Sequence, residues 1–210
     1  MPRPRSLSHA AIAAAALAVI DRDGLHALSM RSAAAELGMG PMSLYRYVSG
    51  REEVEQLAVD LIFRAIDPHV PRSAGWQEQV TELAGRARQA IAAHPAVIPL
   101  LLAHHQHSPS AWRWLEAMLS ALTQAGFTGQ QRVIAYRCLQ AYVLGAVQIE
   151  SLGSLTAQPT LALAALPPAD YPLIAETARN APAVTPQQEF ADGLTILLQG
   201  LGANRTARAC

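Results

Sequence analysis

Lysine is absent from this 210-residue sequence; all sixteen basic residues are Arg, and sixteen acidic residues balance them to a formal charge of zero. A chain without a charge surplus does not coat nucleic acid by bulk attraction. Cysteine is scarce: Cys138 and Cys210 are the only two. Two thiols cannot staple a fold of this size, so a reducing, cytoplasmic compartment is expected. Long apolar runs are missing as well. Ala10 to Ile20 is too short to cross a bilayer, and it leads into Asp21 and Asp23 instead of a cleavage-type exit. Neither a membrane anchor nor a signal peptide is expected. β-branched alternation is nearly absent, which speaks against a sheet. What is present is apolar: 51% of residues, against 15% charged, enough to bury a core in one large domain or two small ones.

The apolar spacing is helical throughout. Ser8 caps a helix carrying Ile12, Ala16, Val19 and Ile20, stopped by Gly24. Ser29 caps a short helix from Met30 to Leu37, ended by Gly38. Pro41 opens another to about Val48, in the first-turn position where proline is tolerated. Ser49-Gly50-Arg51-Glu52 has capping-box spacing with Ser49 as N-cap. It precedes a helix with Val54, Leu57, Ala58, Leu61, Ile62 and Ala65 on one stripe, ended by Pro68 and Pro71. Further on, Val80, Leu83, Ala84, Ala87 and Ile91 form a stripe, and 95–102 form a short helix. Ser108-Pro109 starts a helix with Trp112, Leu115, Leu119 and Leu122 inward. Thr128 with Gln131 and Thr185 with Gln188 are capping boxes of two further helices, and Leu152 to Pro172 is expected to be a mobile loop.

Residues 28–48 carry the functional signal. A short helix, a turn broken by Gly38 and a second short helix form helix-turn-helix grammar. Ala33, Ala34, Leu37, Met39 and Leu44 can pack the pair together, which leaves Arg31, Pro41, Met42, Ser43, Tyr45, Arg46 and Tyr47 facing outward. Tyr45 and Tyr47 lie two apart on a helix and cannot share one buried face. A helix with hydroxyls, Arg and aromatics suits a major groove, where Arg and hydroxyl groups read base edges. Arg3 and Arg5, in a Pro-rich start, read as a disordered tail, with a DNA-binding arm the minority reading.

At Ala34, Leu37-Gly38-Met39, Ser43-Leu44-Tyr45-Arg46-Tyr47-Val48 and Arg51, the sequence resembles the TetR family of one-component transcriptional regulators. Gly126-Phe127-Thr128, Tyr142-Val143-Leu144-Gly145 and Phe190-Ala191-Asp192-Gly193-Leu194 resemble the C-terminal domain of the tetracycline-repressor branch. The resemblance implies an all-α fold with an N-terminal three-helix helix-turn-helix domain. A linking helix within 1–68 joins it to a C-terminal ligand-binding and dimerisation domain over 69–210. It assigns DNA contact to Ser29, Arg31, Pro41, Met42, Ser43, Tyr45, Arg46 and Tyr47. Arg51 would ion-pair with a phosphate at the start of the linking helix.

The same resemblance implies a homodimer on an inverted-repeat operator, with Tyr142, Val143, Val147, Leu194, Leu197 and Leu198 at its interface. An apolar cavity for an unidentified small-molecule effector is expected to involve His94, His105, Trp112, Tyr136 and Gln140. Ile149 stands where the tetracycline repressor has its metal-binding carboxylate, with Glu150 one residue on, so magnesium–tetracycline is not the expected effector. His104-His105-Gln106-His107 lacks ligand spacing, and neither a metal nor a cofactor is expected. Trp112 and Trp114 read first as core, and the sequence does not say which of them lines a cavity.

No triad, phosphate loop or paired carboxylates appear, so an enzyme is not expected. The expected function is a ligand-released repressor. The alternative is a helical protein-interaction or metal-sensing module, which leaves Arg46 and Tyr47 unexplained. The zero charge hides an asymmetry: residues 1–51 hold six Arg and three acidic residues, whereas 52–210 hold ten and thirteen. The positive surplus therefore coincides with the helix-turn-helix.

Overall fold

The structure, a computed structural model, describes residues 7–153, 155 and 158–207, and the side chains only as far as 203. Arg3, Arg5 and Cys210 lie outside the described residues. The elements are all helical: α1 His9–Asp23, α2 Met30–Glu36, α3 Pro41–Leu44, α4 Arg51–Arg64, α5 Trp76–Ala92, α6 Ile98–His104 and α7 Pro109–Gln124. They continue as α8 Gly129–Leu152, α9 Gln158–Ala164, α10 Pro172–Asn180 and α11 Pro186–Ala207. Among the described residues there is no strand, and no helix is long and apolar enough to cross a membrane.

The chain divides into two compact units, Met1–Ala125 and Gly126–Cys210. In the first, α1 packs along α4 and α2, α4 also meets α6 and α7, and α5 lies on α7. Ile12, Ala16, Val19 and Ile20 are wholly buried, as the α1 spacing predicts. The Ser8 hydroxyl accepts the Ala11 N–H at 3.2 Å, so the expected cap forms. The α5 stripe of Val80, Leu83, Ala84, Ala87 and Ile91 is likewise buried. In the second unit α8 packs on α11, and α9 pairs with α10.

Several local expectations need correction. The helix from Pro41 ends at Leu44 instead of Val48, because the amides of Arg46 and Tyr47 bond three residues back, to Ser43 and Leu44, and tighten the chain into turns. Gly50, not Ser49, is the N-cap of α4, and Glu53 instead of Glu52 reaches back to Ser49. That shift of one residue keeps the reciprocal logic of a capping box but moves its register. The inward face of α4 includes Val59 and Phe63, and Ala65 falls beyond the helix, exposed.

On α7 the buried apolar residues are Ala111, Trp114, Met118, Ala121 and Leu122, while Trp112 is 53% exposed. Two tryptophans two positions apart point to different faces. Trp114 wins the core by donating its indole N–H to the Leu83 carbonyl at 3.2 Å and packing against Phe63 with ring centroids 5.9 Å apart. Thr128 precedes α8 but makes no side-chain cap bond. Thr185 does cap, accepting the Gln188 N–H at 3.2 Å. The stretch expected as a loop over 152–172 contains α9, and α10 follows it.

Candidate nucleic-acid interface

The helix-turn-helix is built by its turn. Gly38, at φ +68°, takes a left-handed conformation that favours glycine, and its N–H bonds the Ala35 carbonyl at 3.0 Å. The Met39 N–H bonds the Ala34 carbonyl at 2.9 Å, completing the paired closure that satisfies the end of α2. Gly40 then caps α3, and Pro41 occupies the first helical position, where its missing N–H costs nothing. Ala33, Ala34 and Leu44 are each wholly buried, so the two short helices are clamped through small residues and one Leu.

This clamp decides what faces outward. Ser29, Arg31, Met42, Tyr45, Arg46 and Arg51 are exposed, Met42 to 78% and Tyr45 to 49%, while Pro41, Ser43 and Tyr47 are half-buried. All nine expected DNA-contact residues lie on α2 or at its N-cap, on α3 and the turn after it, or at the first residue of α4. Neither Arg31 nor Arg46 has an ion-pair partner among the described residues. Arg22, by contrast, is tied to Glu36 at 2.8 Å and to Asp23 at 3.0 Å.

Ser29 has a double role. Its hydroxyl accepts the Ser32 N–H at 3.0 Å, while the Ser32 hydroxyl accepts the Ser29 N–H at 2.8 Å. The Ser32 hydroxyl donates to the Ala27 carbonyl at 2.8 Å, which leaves the Ser29 proton for Ser32 or for an outside acceptor.

At the start of α4, the Glu53 carboxylate accepts the Ser49 N–H at 2.6 Å and its hydroxyl at 2.8 Å. These two bonds hold its carboxyl below the usual range. Arg51 donates from Nε to Glu55 Oε1 at 2.7 Å, with its side chain 48% exposed. Glu55 also meets His104 Nε2 of α6 at 3.0 Å. One turn further, Asp60 accepts the Ser108 hydroxyl at 2.7 Å and the Ser110 N–H at 3.1 Å. Burial pushes the Asp60 carboxyl up, and hydrogen bonds from Ser108, Ser110 and Arg64 outweigh it, leaving the group below its usual range. Two carboxylates of α4 thus hold the 104–110 stretch. The Arg51–Glu55 spacing is visible in the sequence as an i, i+4 pair. Nothing in the sequence signals which residues of α6 and α7 meet Glu55 and Asp60.

The expected effector residues divide between the units. In the first, His94 pairs with Asp21 at 2.7 Å, His105 Nδ1 lies 3.0 Å from the Leu101 carbonyl, and Trp112 donates to the Gln106 carbonyl at 3.0 Å. In the second, Tyr136 and Gln140 sit half-buried one turn apart on α8, and burial pushes the Tyr136 phenol up. None of the five lines the apolar cleft of about 400 Å³ between α9 and α10, which Leu155, Thr160, Leu163, Leu173, Ile174 and Thr177 help to form. Among the described residues, no group of three His, Cys, Asp or Glu is placed to hold a metal.

The expected interface residues are largely interior. Val143 (4% exposed), Val147 (1%), Leu194 (0%) and Leu198 (3%) are already buried within the single chain, and Leu197 is half-buried. Such side chains have little surface left to give a partner. Tyr142 turns onto α11, where its hydroxyl donates to the Phe190 carbonyl at 2.8 Å. The apolar residues that α8 and α11 leave exposed are others: Val133, Ile134, Ile149, Leu152 and Ile196. On these two long helices the inward and outward faces read alike in the sequence.

Residues 68–205 match the family described as "Tetracyclin repressor-like, C-terminal domain". Among curated proteins, the chain is 33% identical over 148 residues to the HTH-type transcriptional repressor DrrR1 of Streptomyces coeruleorubidus, covering 70% of this chain and 54% of that protein. This chain therefore spans about half the length of that relative. It is 26% identical to the class D tetracycline repressor protein of Escherichia coli, over 96% of this chain and 92% of that one. Among solved structures, apo ActR of Streptomyces coelicolor superposes with a TM-score of 0.82 at 26% identity, covering 97% of this chain and 98% of ActR. ActR has also been solved in complex with actinorhodin, matching with a TM-score of 0.79 at 25% identity over 96% of this chain and 98% of that one. With its C-terminal two thirds matching the family description and its N-terminal helices forming a helix-turn-helix, the chain belongs to the TetR family of transcriptional regulators.

Proposed function

We propose that this protein is a transcriptional repressor that binds an inverted-repeat operator as a homodimer and leaves it when a small molecule binds its C-terminal helices. The observation that carries the reading is the outward set of α2–α4: Arg31, Tyr45 and Arg46 are exposed, neither Arg has an ion-pair partner among the described residues, and wholly buried Leu44 anchors α3. Arg31, Ser43 and Arg46 supply base readout, since Pro41 and Met42 offer no side-chain donor and at most a weak sulfur acceptor. Ser29, Tyr45, Tyr47 and Arg51 hold phosphates and fix the register.

The functional division falls near residue 68, where the stretch matching the C-terminal family description begins. The compact units divide later, after Ala125, because α5–α7 pack with the linking helix α4. Tyr136 and Gln140 are the effector contacts that α8 offers, being polar, half-buried and one turn apart. Dimerisation uses the outward face of α8 and α11, where Ile134, Ile149 and Ile196 are exposed beside the small residues Cys138, Ala141 and Gly200. Small residues let two helices approach closely, and a two-fold axis would set the two copies of α3 about one DNA turn apart. DrrR1 is named a repressor, and ActR binds actinorhodin, which supports a regulator with a small-molecule effector.

The test is selection of bound duplexes from a random pool with purified protein, followed by sequencing. An inverted repeat with half-sites one turn apart is expected. Recovery of no common sequence, with no retarded complex at low salt, would overturn the assignment.

A further inference from the structure

The carboxylate of Glu55 is shared. Its Oε1 receives Nε of Arg51 at 2.7 Å, and its Oε2 meets Nε2 of His104 at 3.0 Å. The side chains of Glu55 and His104 are each only 12% exposed, whereas that of Arg51 is 48% exposed. The other ring nitrogen of His104, Nδ1, is buried with no hydrogen-bond partner among the described residues. The tautomer with its proton on Nε2 donates to Glu55 and leaves only a lone pair at Nδ1, which costs less than a buried N–H without an acceptor. Among the described residues Glu55 is the one polar attachment of His104, and Glu55 is held from behind by α6.

We propose that Glu55 is a positioning residue for DNA binding: fixed by His104, it holds the Arg51 guanidinium in place for a phosphate. This rests on the reading of Arg51 as a phosphate contact. A bond from Nε leaves both terminal nitrogens of the guanidinium free to donate, so Glu55 orients Arg51 without consuming its phosphate-binding edge. An ordinary exposed ion pair gains little, because two long side chains must be ordered to make it. Here one partner is already ordered by the fold, and only Arg51 remains to be placed. The fixed pair thus gives α6 a polar attachment to the residue that opens α4.

The experiment uses the full-length protein and a duplex recovered by selection with the wild type, titrated over a range of salt concentrations. Arg51→Ala should weaken binding roughly tenfold and lower the salt slope by about one. Glu55→Ala should weaken binding about three- to tenfold, although removing an acid near phosphates would by charge alone tighten it. His104→Ala should act in the same direction, and His104→Gln, which keeps a donor near the Nε2 position, should recover most of the loss. In the Arg51→Ala background, neither Glu55→Ala nor His104→Ala should cost anything more.

Circular-dichroism melts check folding. If Glu55→Ala does not fold, His104→Ala and Glu55→Gln, each in both backgrounds, carry the same comparison. Tighter or unchanged binding on Glu55→Ala overturns the proposal, as does an undiminished loss without Arg51, which would mark a structural role. Unchanged binding and slope on Arg51→Ala would instead remove the phosphate reading, and the positioning role with it.

Discussion

The hydroxyl of Tyr142 occupies the space that a side chain at residue 193 would need. A Cβ built on Gly193 collides with the Tyr142 oxygen, and the ring carbon bearing it lies 3.1 Å away. The same hydroxyl donates to the carbonyl of Phe190, whose ring is tilted against that of Tyr142 at 5.5 Å. Glycine in a helix interior costs roughly 0.5–1 kcal/mol relative to alanine, so its place in α11 reflects close approach to α8. Gly193→Ala should therefore destabilise by about 1–2 kcal/mol, because overpacking outweighs the gain in helix propensity. Tyr142→Phe in the same chain should restore part of that loss. Urea unfolding of the two single variants and the double variant measures the coupling.

Removing Arg31 or Arg46 should change recognition without changing stability. Both are exposed and neither has an ion pair among the described residues, so melting midpoints should stay at wild type. Binding to the selected duplex should fall, and discrimination at the contacted base pair should drop by about 1–3 kcal/mol. Competition between the selected duplex and its single-base variants reads that loss directly. Unchanged discrimination for both variants would leave base readout to other residues.

Leu44→Ala should instead act on DNA binding through stability. Leu44 is wholly buried beneath the outward residues of α3, and a Leu-to-Ala change in a packed core costs about 2–5 kcal/mol. DNA affinity should fall in step with the melting midpoint, for want of a held α3. Met42→Ala, only two positions earlier and 78% exposed, should shift stability by less than about 0.5 kcal/mol.

Acid should weaken the chain through Glu53 and Asp60. Both carboxyls are held below their ordinary values in the folded state. Each therefore contributes stability that is present above the unfolded pKa, about 4, and is lost as pH falls through the lower folded value. Asp60→Asn should flatten this acid limb and lower stability at neutral pH, since it loosens the tie to Ser108 and Ser110. Chemical denaturation across the range from neutral to about pH 3 gives the slope.

Capped helices with one apolar stripe were legible in the sequence. Ser8, Ser29 and Ser108 each cap as their spacing indicates, and the stripes of α1 and α5 are buried as read. The outward set around Leu44 was legible too, because Gly38 and Pro41 punctuate the chain on either side of the turn. Helices with apolar residues on two faces were not. On α7 the Trp112 and Trp114 stripes compete, and only the Leu83 carbonyl and the Phe63 ring decide between them. On α8 and α11 the inward and outward isoleucines and leucines are chemically alike, so a partner-facing residue cannot be told from a core residue by type. The polar ties of Glu55 and Asp60 join residues about fifty positions apart, beyond any periodicity.

The burial of Leu44 has a consequence for how such a regulator diversifies. One side chain secures α3, while the residues on either side of it, Ser43, Tyr45 and Arg46, contribute little to the clamp. Substitutions at those neighbours are thermodynamically cheap, so a duplicated copy of the gene can drift through altered operators without passing through unfolded intermediates. With base readout proposed for Ser43 and Arg46, stability and specificity would sit on separate residues of α3 and the turn after it, and a new DNA target would be reachable by single steps.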